Sequence, residues 1–318
     1  MTRIFLSFFL MLWFTALGYA FGTINFLGQN SEHEKITRIA LKELGFSPET
    51  LTLIAGKGPT IGAVAFIDLP GSSLIPIPAA HCDNGDYLDI PGYPGDRKRA
   101  QKALNDCRKF IFSQFKSAVS SAAAFIDSKG QIDPASVPTE VKCSFSALEN
   151  RAKCKVLTAI GLVFHASQDF YSHTNWTDVP ANRAIDASNP PGLGNNAPAP
   201  FIDPSKNSAF PDGLISGCFF GVPEELYCAA LNGQQRVRHL DLSKDFGSIN
   251  VQTEVIGIGT SNRGKVNWNF QRAVLAAIED TRSKWNYYET TILENYGKEH
   301  GSKIICTLKK DDPLKECQ

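Results

Sequence analysis

His165, Asp169 and His173 recur at intervals of four in the run Val163-Phe164-His165-Ala166-Ser167-Gln168-Asp169-Phe170-Tyr171-Ser172-His173-Thr174-Asn175-Trp176. On an α-helix that spacing stacks the three side chains within an arc of about 80°. Leu157, Ile160, Leu162, Val163 and Phe164 come just before them, so the helix reads as apolar and buried. Two imidazoles and a carboxylate on a buried face must find partners, because unpaired buried polar groups are costly. A divalent metal satisfies all three at once. The alternative is a set of core hydrogen bonds with His173 half-exposed.

Three further helices show the 3.6-residue pattern, near 32–44, 97–128 and 264–296, with the motif helix at 147–173. Alternating strand patterns are scarce. The chain therefore reads as all-α, a single helical metal-binding domain over 21–318. Ser31 and Glu34 have capping-box spacing at the first helix, and Gly45 closes it. His33 falls in the first turn of that helix. Taken alone, it reads as an exposed histidine bonding a neighbour.

Residues 1–20 read as a secretory signal, with Arg3, an apolar run from Ile4 to Thr15, and Gly18-Tyr19-Ala20 for cleavage. That run is shorter than the ~20 residues a membrane span needs, so stable membrane insertion is not expected. The eight cysteines agree with export. Their number is even, and no CxxC pair suggests a zinc knuckle or a redox motif. Four disulfides follow in an oxidising compartment. Connectivity stays open, although Cys143 with Cys154, Cys218 with Cys228 and Cys306 with Cys317 would close short loops. With 32 basic and 32 acidic residues, charge gives no reason to expect a nucleic-acid surface or an anionic membrane as partner.

From Ala55 to Gly95 the chain is rich in Gly and Pro, and a connection that long inside a compact domain is usually functional. It carries Asp68 before Pro70, and His81-Cys82-Asp83-Asn84-Gly85-Asp86. Asp68 and His81 suit a site whose base is a rigid helix, with a turn cap before Pro70 as the alternative for Asp68; for Asp83 and Asp86 the alternative is turn chemistry beside Asn84 and Gly85. Ala184 to Gly213 reads as a long surface loop beside the site. His239, between Arg238 and Asp241, reads as a solvated loop histidine. Asn175-Trp176-Thr177 is the one glycosylation sequon. Low occupancy is expected there, since a glycan would crowd the mouth of the site.

The HxxxDFYxHxNW run from His165 to Trp176 resembles the signature of the fungal heterokaryon-incompatibility C family, which is related to the secreted zinc-dependent phospholipases C and single-strand nucleases. His33 before Ile36-Thr37, Asp68 upstream of His81-Cys82-Asp83, Ser216-Gly217-Cys218-Phe219-Phe220-Gly221, and Leu242-Ser243-Lys244-Asp245 follow in the expected order. The resemblance implies a multi-helical fold of the phospholipase C/nuclease type whose cleft holds zinc. It implies Asp68, His81, His165 and Asp169 around one ion. His33 and Asp169 would hold a second, with the amine of Phe21 as a further ligand. His173 would belong to a third, which in the relatives needs another histidine and an acid. Here Asn267-Trp268-Asn269-Phe270 stands where many relatives carry a histidine, so two ions are expected, and a third only if a group such as His239 substitutes.

The chemistry of this ligand set agrees: imidazole with carboxylate suits zinc, and the lack of thiolate ligands argues against a closed structural site. Two function classes follow. One is a secreted zinc-dependent hydrolase of phosphoric esters, acting on phospholipid or nucleic acid, in which Asp68 also orients or deprotonates the attacking water. The other is a non-enzymatic recognition, incompatibility or effector protein that keeps the fold and a structural metal.

Overall fold

A computed structural model describes residues 21–25, 29–137, 143–145, 149–219, 228 and 235–317; the expected signal segment lies outside them. The protein is mostly helical. The main helices are α1 (Glu32–Leu41), α2 (Pro48–Ala55), α3 (Pro78–His81), α4 (Arg97–Ser121), α5 (Ala152–His173), α6 (His239–Leu242), α7 (Asn269–Lys309) and α8 (Pro313–Glu316). Among the described residues, sheet is limited to two small antiparallel pairs, β1 (Gly56–Lys57) with β2 (Thr60–Ile61), and β3 (Gly247–Ile249) with β4 (Ile256–Gly259). No helix among the described residues is long and apolar enough to cross a membrane.

The motif helix α5 is the centre of the molecule. All of its residues are buried except Lys155 and Thr158, as expected of a helix that is apolar nearly all round. It packs between α4 and α7, with α1, α2 and α3 closing the remaining sides. Leu104, Ile111, Phe115, Val163, Phe164, Phe170, Val274, Ala277 and Trp285 belong to one continuous core.

Boundaries differ from the periodicity in instructive places. The helix expected over 97–128 ends at Ser121 and tightens into a 3-10 turn over Ala122–Phe125. The last helix starts at Asn269, not near 264, because Asn267 and Trp268 both take positive φ. It continues to Lys309 past a non-helical Gly297, well beyond the expected end at Tyr296. The capping box at α1 does not form. Ser31 sits at φ 50 with no side-chain cap, and Glu34 instead pairs with Arg38 at 3.2 Å.

All eight cysteines are paired: Cys82–Cys107, Cys143–Cys154, Cys218–Cys228 and Cys306–Cys317. Three close short loops, and Cys306–Cys317 ties down the C-terminal turn. The fourth fastens the loop carrying His81 and Asp83 to α4. Four disulfides are typical of secreted or extracellular proteins.

Two glycines set where loops meet α5. A Cβ on Gly161 would lie 2.5 Å from the backbone of Ala63. Only glycine therefore lets the segment before Asp68 run against the helix. At the other end, a Cβ on Gly217 would lie 2.4 Å from the His239 backbone. Gly217 donates its N–H to the carbonyl of His173, and the His239 N–H reaches the carbonyl of Cys218. One close approach delivers Asp68; the other delivers His239.

Candidate metal centre

Five of the six histidines converge on the face of α5 that carries the motif. They form two clusters, one turn of helix apart.

The first cluster surrounds Asp169. Its Oδ2 lies 2.9 Å from His165 Nε2 and 3.0 Å from His81 Nδ1, and its Oδ1 lies 3.1 Å from His33 Nε2. His165 Nε2 and His81 Nδ1 are themselves 3.3 Å apart. Asp68 Oδ1 stands 3.7 Å from His165 Nε2 and 3.8 Å from His81 Nδ1. Ligands about 2.0–2.1 Å from a tetrahedral zinc are separated from one another by roughly 3.3 Å. The observed spacings bracket that value. Asp68, His81, His165 and Asp169 are thus brought together as expected, and His33 joins them. His33 is fully buried, not exposed, and its ring stacks on that of His165 at 4.2 Å.

The second cluster surrounds His173 and His239. His239 Nδ1 lies 3.1 Å from Asp83 Oδ1, and its Nε2 lies 3.2 Å from Asp245 Oδ2. His173 Nε2 is 3.3 Å from Asp245 Oδ1, and its Nδ1 is 3.6 Å from Asp83 Oδ1. Asp245 is steadied by the hydroxyls of Ser172 and Ser243. The reading of His239 as a solvated loop histidine is overturned. It is 2% exposed, because Gly217 draws its backbone onto the end of α5. Asp83 is likewise a buried member of the cluster, not a turn residue. Asp86 is buried too, but away from both clusters: it bonds Arg236, Arg99 and the Tyr93 hydroxyl. His173 has no exposed surface.

Second partners fix the imidazoles. His165 Nδ1 bonds the Val64 carbonyl at 2.8 Å, His173 Nδ1 the His81 carbonyl at 2.8 Å, and His33 Nδ1 the Gln168 side-chain oxygen at 2.7 Å. Each oxygen can only accept, so in the neutral ring Nδ1 carries the proton and Nε2 presents a lone pair. That lone pair faces a carboxylate. His33 Nε2, Asp169 Oδ1 and His173 Nε2 have no hydrogen-bond partner despite being buried. Two acceptors opposed in this way call for a cation, either protons on the rings or a metal between the groups.

The electrostatics show how strong that demand is. Burial would push each imidazole toward its neutral form, yet Asp169 and Asp68 pull His33 upward and carry His81 to about 9. Asp83 and Asp245 drive His239 well above the ordinary value against the same burial, and with Asp169 they raise His173. In His165 burial prevails, reinforced by His33, and its value falls. Burial disfavours the charge on Asp169, but the surrounding histidines hold its carboxyl well below the usual range. Without a metal, the clusters would gather protons in its place.

Access differs between the groups. In the first cluster the Asp68 and His81 side chains retain 12% and 10% of their surface, while those of His165 and Asp169 retain none. The sequence leaves Asp83 as turn chemistry, offers His239 only as a conditional substitute in a third site, and gives Asp245 no role. The one signal for Asp83 was its position two residues after His81.

No family model, no curated protein and no solved structure matches the chain.

Proposed function

We propose that this protein is a secreted zinc-dependent hydrolase of phosphoric esters, with the fold of the zinc-dependent phospholipases C and single-strand nucleases. The observation that carries the reading is the set of bare histidine nitrogens held against buried carboxylates in two adjacent clusters. Asp68, His81, His165 and Asp169 would hold one ion, His33 and Asp169 a second, and His173 with Asp83, His239 and Asp245 a third. If cleavage falls before Phe21, its free amine would emerge beside the second; the Phe21 ring is buried and edge-on to His33 at 5.9 Å. Zinc in these positions would supply Lewis-acid polarisation of a phosphoryl oxygen and a lowered pKa for water.

The chain's own residues do the positioning. Asp169 supplies the charge that holds three imidazoles inward. Val64, Gln168 and the His81 carbonyl fix which ring nitrogen each histidine offers. Asp68 and His81, at the solvent edge, meet the ester first, and Asp68 is the carboxylate placed to orient the attacking water.

A second reading follows from burial. Both histidines of the second cluster are essentially closed off, as structural metal sites are. A non-enzymatic recognition protein would keep such a site for stability alone. Elemental analysis of secreted protein, with hydrolysis assays on phospholipid vesicles and single-stranded DNA, separates the readings. Bound zinc with turnover on either substrate supports the hydrolase. Bound zinc with no turnover favours the non-enzymatic protein, and absence of metal overturns both.

A further inference from the structure

We propose that Thr23 is a positioning residue for Asp68, holding one carboxylate oxygen so that the other faces the histidines. The inference rests on the metal-binding reading above.

The Thr23 hydroxyl donates to Asp68 Oδ2. The opposite oxygen, Oδ1, is the one 3.7 Å from His165 Nε2 and 3.8 Å from His81 Nδ1. Among the described residues, that hydroxyl is the one hydrogen-bond donor on the Asp68 carboxylate. Asp68 needs such a partner more than Asp169 does. It ends a three-residue 3-10 turn, Phe66–Asp68, and is followed by Leu69 to Ala80, a stretch with no charged side chain. A carboxylate on that support turns broadly about its last torsion, and each wrong orientation takes Oδ1 away from the imidazoles.

Thr23 can impose the orientation because it is itself fixed. It is 8% exposed, and its N–H donates to Gln29 Oε1 at 2.9 Å, as does that of Ile24 at 3.0 Å. The preceding residue is held from both sides. Gly22 donates to the Asp245 carbonyl and accepts from the His33 N–H, each at 3.3 Å. The segment carrying the hydroxyl is thus tied to backbone at a member of each cluster. Partners behind a metal ligand typically contribute 10–100-fold to metal affinity, because they remove the wrong orientations before the ion arrives.

The test is a zinc titration of metal-free secreted protein against a competing chromophoric chelator, for the wild type, Thr23→Val and Thr23→Ser. Thr23→Val keeps the shape and removes the donor. It is expected to raise the Kd of one zinc equivalent by about 10–100-fold, and Thr23→Ser to recover most of that loss. Melting temperatures separate positioning from packing. The metal-free Val variant should melt with the metal-free wild type, while the rise on adding zinc shrinks. An unchanged zinc Kd in Thr23→Val overturns the inference and leaves the metal reading standing. So does equal destabilisation of the metal-free and zinc-loaded forms, or a Ser variant as weak as Val. If Thr23→Val is not secreted, Thr23→Ala carries the same comparison against Ser. A wild type that takes up no zinc overturns the metal reading and this inference with it.

Discussion

The two clusters are neighbours on one helix and are built in opposite ways. In the first, the carboxylate Asp169 belongs to α5 and the partners come to it: His33 from α1, His81 from the end of α3, and Asp68 from a loop. In the second, α5 supplies a histidine, and both carboxylates come from loops, Asp83 and Asp245. The first reaches solvent through Asp68 and His81, whereas the second is closed, with serine hydroxyls on Asp245. An open edge permits ligand exchange, and a closed interior favours rigidity. In a hydrolase, that difference would divide the labour: substrate would meet the first cluster, and the second would hold the loops around it.

The sharpest way to break that comparison is Asp169→Asn. The change preserves shape but removes the charge shared by His33, His81 and His165. Metal content should fall by the ions of the first cluster. Any phosphodiester hydrolysis should fall with it, by more than about 100-fold, the upper end of what losing a mere outer partner does. Elemental analysis and turnover measured on the same preparation check both. A mutant as active as the wild type would show that the hydrolysis arises elsewhere.

His239→Gln probes the other side. One metal equivalent should disappear from the second cluster while the first keeps its own, and turnover should drop less than in Asp169→Asn. Loss of all metal in this variant would mean that the two clusters assemble as one unit.

Asp68→Asn should separate binding from chemistry within the first cluster. Asp68 lies at the edge, with longer approaches than Asp169 makes, so metal content should fall modestly. If Asp68 also orients water, turnover should fall further than metal content, by about 10- to 100-fold. Parallel losses would reduce it to a ligand.

A smaller effect concerns pH. His81 is raised in the folded metal-free protein from its ordinary value of 6.5 to about 9. Its proton therefore stabilises the metal-free fold fully below pH 6.5, and that contribution is lost as pH rises through about 9. Zinc must displace the same proton, so its apparent affinity rises across this window. Melting curves of metal-free and zinc-loaded protein should accordingly diverge from pH 6.5 to 9. Curves that stay parallel would remove His81 from the ligand set.

The smallest expected signal is at Asn175. Its side chain is buried, donates to the carbonyls of Pro191 and Gly213, and accepts from the Ile215 N–H. A glycan has no room there in the folded protein. Mass spectrometry of the secreted chain should find Asn175 bare; full occupancy would mean that this end of α5 is open.

Part of this architecture was legible before any coordinates. The four-residue spacing of His165, Asp169 and His173 in an apolar run fixes which side chains share a helix face, since helical geometry is local. The burial of that helix follows from its composition, and the number of cysteines foretold pairing. The broad helical class was legible too, though not the ends, where Asn267 and Trp268 take positive φ and Gly297 interrupts a helix that then resumes. Asp68 and His81 stand out as candidates in a long Gly- and Pro-rich connection, but only the resemblance joins them to His165 and Asp169, because nothing local distinguishes a ligand there from a turn cap.

What only the tertiary structure decided is which loops arrive at the helix, and on which turn. His239, Asp83 and Asp245 carry no spacing relative to His173 that a sequence pattern could register. They meet because Gly217 lets two backbones touch, because Cys82 is fastened to Cys107 between His81 and Asp83, and because Ser172 and Ser243 hold Asp245. The sequence determined a helix with an unsatisfied polar face. Long-range packing determined what satisfies it, since the closure of distant segments depends on contacts that no local stretch contains.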